Sequence, residues 1–196
     1  ISTFKYSSND RDARIQQYLA IAMGATKDER YTKTLIDAMN GSDEGVVQAC
    51  AFALGNIGKY DAIDPLKGLL DNPEPQIRLH AVIALGKIGS PSIAPDLRKM
   101  LSDPEPNVRW DASIALAKQK DSSGRSILID LLDRKYLNSF PNIDEKEKVQ
   151  VILVAISVSH FIQNQELKTV LSNIRDNDEN LKIREAARIA LDKFVI

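Results

Sequence analysis

The chain has 196 residues, enough for one domain with a substantial core, and 26 basic residues stand against 27 acidic for a formal net charge of −1. That balance argues against a nucleic-acid or membrane-surface protein, which carries a basic excess. Aromatics make up only 6% of residues, so the chain draws its apolar content from aliphatic helix formers, and Cys50, the single cysteine, leaves no internal disulfide to form.

The numbering begins at Ile1 rather than Met, which reads as a processed or excised N-terminus. A cytoplasmic location is expected, with export left open. From the first helix onward the apolar frame repeats every 31 residues. Val46, Ile77 and Val108 align, as do Ala53, Ala84 and Ala115, then Leu54, Leu85 and Leu116, then Gly55, Gly86 and Ala117. One step back lies Ala22–Met23–Gly24. A second series runs through Leu35, Leu66, Leu97 and Leu128, with Met39, Leu70, Leu101 and Leu132 beside it. Self-similarity of this kind marks a repeat architecture.

The units fall at about 11–28, 29–58, 59–89, 90–120, 121–162 and 163–196, and together they form one domain over 1–196. The opening stretch is a single helix, and the five units counted after it hold two helices each. In PSIAPDLRKML the apolar residues Ile93, Leu97, Met100 and Leu101 keep helical spacing. The turn SDPEP closes that helix, and PEP opens the next, since Pro suits a first turn but not an interior. The second helix runs from Pro106 to Lys118 with Val108, Ala112, Ala115 and Leu116 on one face. Gly58 and Gly89 stand where a helix stop needs left-handed backbone. Cys50, within CAFALG, reads as a small buried apolar residue. One such pair cannot cover its own apolar faces, so the units must stack.

The fourth unit departs from the pattern. RKYLNSFPNIDEKEK, at 134–148, exceeds the usual turn by roughly nine residues. Its Tyr136 and Phe140 are either partner contacts or aromatics folded back onto the stack. VQVILVAISVSHFI, at 149–162, is shorter than the ~20 residues a bilayer requires and is broken by polar residues. It reads as a core helix over 145–162, its faces unassigned. DNDENL, at 176–181, has Leu181 where a calcium loop needs Gly and is a polar turn.

The succession of an apolar first helix, D-x-P-E-P-x-[IV]-R and A-x-x-A-L-G resembles HEAT repeats, in the short variety of bilin-lyase-related proteins. Residues 11–135 carry the pattern, and IREAARIAL carries it once more near the end. The resemblance implies an all-α, right-handed αα superhelix of about five helix pairs plus an N-terminal helix. It also implies a structural ladder of turn acids and helix arginines: Asp71 with Arg78, Asp103 with Arg109, Asp178 with Arg184. Val47 interrupts that ladder.

Second helices of this family line the concave side. Opposite the buried direction they carry Trp110, Ile114 and Ala117, and in earlier units Leu79, Ile83 and Gly86, then Gln48, Phe52 and Gly55, then Gln17, Ile21 and Gly24. Water-facing positions should be polar, so the apolar set Phe52, Leu79, Ile83, Trp110 and Ile114 marks a candidate partner-binding surface. The last unit offers Glu185, Ile189 and Asp192, as a solvent-facing end should.

Chemistry is scarce. His80 precedes Ala81 and His160 precedes Phe161, so neither H-E-x-x-H zinc ligation nor the His-Glu iron sites of some HEAT-type enzymes applies. GNIGK follows a helix and is too short for a phosphate loop. A HEAT-like DNA glycosylase would need a basic, aromatic groove, and the second helices have no basic stripe. No catalytic, cofactor or metal residue is assigned. The expected role is a non-enzymatic module binding a peptide or helix of another protein, without nucleic acid or membrane insertion. The resemblance also allows a bilin lyase or chaperone-like subunit handling a tetrapyrrole, or a segment of a longer array.

Overall fold

The computed structural model describes residues 10–41 and 43–195. All regular structure among them is helical: α1 (Asp10–Thr26), α2 (Thr32–Met39), α3 (Glu44–Ile57), α4 (Ile63–Lys67), α5 (Pro75–Ile88), α6 (Ala94–Met100), α7 (Pro106–Lys118), α8 (Arg125–Leu131), α9 (Arg134–Leu137), α10 (Glu145–Ser159), α11 (Gln165–Asn177) and α12 (Leu181–Leu191). The protein is all-α. Its residues group into two compact units, 1–115 and 116–196.

The period of 31 is visible in the backbone itself. Short 3₁₀ turns at Glu29–Tyr31, Tyr60–Ala62, Pro91–Ile93 and Ser122–Gly124 each lead into a short first helix. Left-handed residues recur in step at Lys27, Gly58, Gly89 and Lys120, with φ of 55°, 79°, 72° and 61°. At Gly58 and Gly89 the N–H donates back to the carbonyls of Leu54 and Leu85, at 2.9 and 3.0 Å. Both glycines therefore stop their helices as their positions predict. The first helices are shorter than a continuous reading suggests, because Tyr60–Ala62 and its counterparts take the tighter turn.

In the first unit α1, α3 and α5 pack side by side, with α2 and α4 against α3 and α5. The core is the expected series: Leu35, Leu54, Leu66, Leu85, Ile93 and Leu97 are fully buried, as are Ala53 and Ala84. What sets the spacing is a glycine. A Cβ on Gly24 would lie 2.5 Å from Ala53 Cα, and one on Gly55 would lie 2.7 Å from Ala84 Cα. One on Gly86 would lie 2.7 Å from Ala115 Cβ. The angular pattern puts these glycines on the outward face together with Phe52 and Ile83. They instead meet the next helix, because only a residue without Cβ permits so close an approach.

The ion pairs differ from the expected ladder by one unit. Arg78 Nε and Nη2 donate to Asp103 Oδ2 and Oδ1, at 2.8 and 2.9 Å, and both side chains are buried. Its Nη1 donates to the carbonyls of Asn72 and Pro73 in its own turn. Asp71 is exposed and is not that partner. The counterpart of Asp103 one period earlier is Asn72, not Asp71. Both accept a turn N–H two residues on, Glu105 for Asp103 and Glu74 for Asn72. Arg109 likewise holds its own turn, with Nη1 donating to the carbonyls of Asp103 and Pro104 at 2.7 and 2.9 Å.

In the second unit α10 buries Ile152, Ile156 and Ser159, the positions 31 before Ile183, Ala187 and Ala190 of α12, which are buried too. This register places Ile152 44 residues after Val108 instead of 31, a larger excess than the nine residues expected. It also puts Leu153 where Arg78 and Arg109 stand. The guanidinium comes from the long turn instead: Arg134, at the start of α9, donates to both Asp178 oxygens at 3.1 and 3.0 Å. Arg184, the expected partner of Asp178, donates through Nε to the Arg175 carbonyl. Asp144 and Glu147 form a reciprocal capping box that starts α10.

Two outcomes follow. Gly55→Leu should cost about 3 kcal/mol, at the upper end for overpacking, because the clash is with backbone and cannot be relieved by a rotamer change. Urea unfolding measures it. Arg78→Ala should cost about 3–5 kcal/mol by leaving a buried carboxylate unpaired. Burial draws the Asp103 carboxyl upward, but hydrogen bonds from Arg78 and from the Glu105 N–H outweigh it and hold the group below its ordinary value. Stability from the pair is therefore complete above about pH 4 and lost as pH falls through that lowered value. Unfolding measured from pH 6 down to pH 2 should show a smaller loss in Asp103→Asn than in the parent chain.

Candidate functional site

Phe52 and Ile21 lie one period apart on α3 and α1. They line a groove of about 340 Å³ with Gln17, Gln48, Ala49, Gly45 and His80. Phe52 is 37% exposed and Ile21 44%. The groove lies wholly within the first unit.

Its edges are ordered by polar contacts. Lys87, on α5, sets its Nζ 4.4 Å from the centre of the Phe52 ring. The same ammonium donates to Asn56 Oδ1 at 2.9 Å. A cation on a ring face is attracted by the ring quadrupole, so the contact favours this placement of the part-exposed ring. Gln17 Nε2 donates to Asp43 Oδ1 at 3.4 Å. His80 Nδ1 lies 2.7 Å from the Gln76 carbonyl, which can only accept, so Nδ1 carries a proton in that contact. The groove thus combines an apolar floor with amide and imidazole hydrogen-bonding groups.

The expected surface residues divide. Phe52 is on the groove, and Leu79, Ile83 and Ile114 are half-buried on α5 and α7. Trp110 is not an exposed anchor: it is only 5% exposed. An apolar ring of that size is stabilised by packing inward, and its helix turns it there. Sequence reasoning left out Gln17, Gln48 and His80 as lining groups, although Gln17 and Gln48 stand one period apart in the outward positions. Tyr136 and Phe140 of the long turn pack edge to face, with centroids 5.2 Å apart and planes at 69°, and both are half-buried. Glu185 and Asp192 are exposed and pair with Arg188, as a solvent-facing end does.

Among the described residues no group of three or more His, Cys, Asp or Glu is placed to hold a metal ion. No helix among them is long and apolar enough to cross a membrane. Cys50 is fully buried next to the groove residue Ala49, and burial pushes its thiol up to about 12.

A family model described as HEAT repeats matches residues 3–77 and 67–137. Among solved structures, the chain is similar to an engineered protein at 20% identity and TM-score 0.61, covering 98% of this chain and 95% of that one. YibA of E. coli aligns at 20% identity and TM-score 0.61, over 97% of this chain and 72% of that one. A designed armadillo repeat protein in complex with the peptide (KR)4 aligns at 19% identity and TM-score 0.59, over 98% and 97%. At such identities these likenesses bear on the fold alone. No curated protein matches.

Thiol reactivity reports on this core. The protonated, enclosed Cys50 should react with a disulfide reagent only when the chain opens, so its labelling rate in the native protein should be at least a hundredfold below that in 6 M urea, and should rise with denaturant along the unfolding transition.

Proposed function

The chain belongs to the HEAT-repeat family, and on that premise we propose that it is a non-catalytic interaction scaffold whose groove over α1, α3 and α5 holds a peptide or helix of another protein. The observation that carries this reading is Phe52, a large aromatic left part-exposed in the groove and steadied there by Lys87. Aromatic residues in partly enclosed, preordered sites supply much of the energy of protein recognition. Each large apolar side chain covered on binding contributes roughly 1.5–3 kcal/mol before ordering costs. Phe52 and Ile21, with half-buried Leu79 and Ile83 in the same register columns on α5, would suffice for micromolar affinity once association costs are subtracted.

Gln17, Gln48 and His80 give the groove its direction. Their donors and acceptors suit the carbonyl and N–H groups of an extended segment or the polar flank of a helix. A designed armadillo repeat protein with a similar fold is known in complex with a peptide. That precedent supports a peptide as the occupant class here, while the charge of the partner is a matter for the residues of this chain.

Peptides selected from a random display library against the full chain provide the test. Phe52→Ala should weaken the selected binders about tenfold or more while circular dichroism and the unfolding midpoint stay near those of the parent. Retention of full affinity by that variant would remove the groove as the site. Trp110→Ala, by contrast, should act through stability, costing about 3–5 kcal/mol as a buried large-to-small change.

A further inference from the structure

Gly45 is the second residue of α3, two after the N-cap Asp43. Its backbone does not require a glycine: among the described residues the left-handed glycines are Gly58 and Gly89. The repeat does not require one either, since the same register position holds Arg14, Gln76 and Asn107 in other units. Glycine is disfavoured in a helix, so its presence here calls for a reason of space. Gln17 occupies that space. A Cβ on Gly45 would lie 2.9 Å from Gln17 Cδ and closer still to Nε2. The half-buried side chain of Gln17, on α1, therefore lies flat across the first turn of α3, its amide where any other residue at 45 would place a methylene or methyl group.

Asp43 fixes which way that amide points. Its Oδ1 accepts the Val46 N–H at 2.9 Å, and an ionised carboxylate can only accept, so the Gln17 atom 3.4 Å from it is the nitrogen. Oε1 is then the acceptor that Gln17 offers to the groove it lines with Gln48, Phe52 and His80. We propose, resting on the reading of that groove given above, that Gly45 is a positioning residue: by leaving room for Gln17 it presets Gln17 Oε1 to accept a main-chain N–H of an extended occupant. An extended segment has N–H groups to give. A helix spends its own internally and would cover Oε1 without satisfying it. Presetting matters because an acceptor that must first be ordered gives back part of what its bond contributes.

The probe is the tightest Phe52-dependent peptide from the display selection, titrated calorimetrically into the full chain. Gly45→Ala should weaken it about five- to tenfold, the share of one hydrogen bond. The unfolding midpoint should hold or rise, because the atoms displaced are the end of a flexible side chain and alanine is the better helix former. Gln17→Ala should weaken the peptide by the same factor, and adding Gly45→Ala to it should change nothing more. Main-chain N-methylation scanned along the peptide should find one position that loses this factor against the parent chain and nothing against Gln17→Ala. Parent affinity in Gly45→Ala would overturn the proposal while leaving the Phe52 groove in place. So would full additivity of the two substitutions, or N-methyl penalties that persist unchanged in Gln17→Ala, as a helical occupant would give. If no selected peptide depends on Phe52, the groove and its positioning residue fall together.

Discussion

Three close contacts govern the first unit: Gly24 on Ala53, Gly55 on Ala84 and Gly86 on Ala115. At such separations neither helix has room for another methyl group, so neighbouring second helices stand as near as their main chains permit. That closeness is what allows modest residues, alanine and valine more than phenylalanine, to exclude water from the interface. Leu54 and Leu85 then fill the remaining space beneath and are fully enclosed. Glycine within a helix is intrinsically unfavourable by about 1 kcal/mol relative to alanine, and its presence at three successive helices marks a packing requirement strong enough to outweigh that cost.

A second constraint holds the turns. Arg78 grips the carbonyls of its own turn and the carboxylate of the turn one unit on, so a single planar side chain ties two successive loops. The device survives the irregular fourth unit by a change of donor. Leu153 replaces the arginine on α10, and Arg134 reaches Asp178 from the start of the long turn. The insertion is thereby fastened at one end by an ion pair and at the other by the Asp144–Glu147 capping box. Chain length was added there without surrendering the carboxylate's partner.

Most of this was legible in the residues. The 31-residue rhythm gives the helix pairs, the core series, the glycine stops and the proline starts, because each depends on local sequence or on a periodic apolar face. Three features were not. Whether a glycine lies on an outward face or under a neighbour depends on the crossing of two helices, which one helix's angular plot does not contain. The partner of Arg78 is set by stacking, although the alignment of Asn72 with Asp103 offered a clue that the ladder was offset. Trp110 stands in the column of Gln48 and Leu79, one helical turn from that of Phe52, on what the angular plot makes the same face, yet one ring is buried and the other part-exposed.

The stack is held by main-chain proximity at glycine and alanine, one column away from residues 17, 48, 52, 79 and 83. Selection can rewrite those columns with the architecture left standing. A library randomised at those columns would therefore start from a backbone whose spacing is set elsewhere, by residues without side-chain bulk.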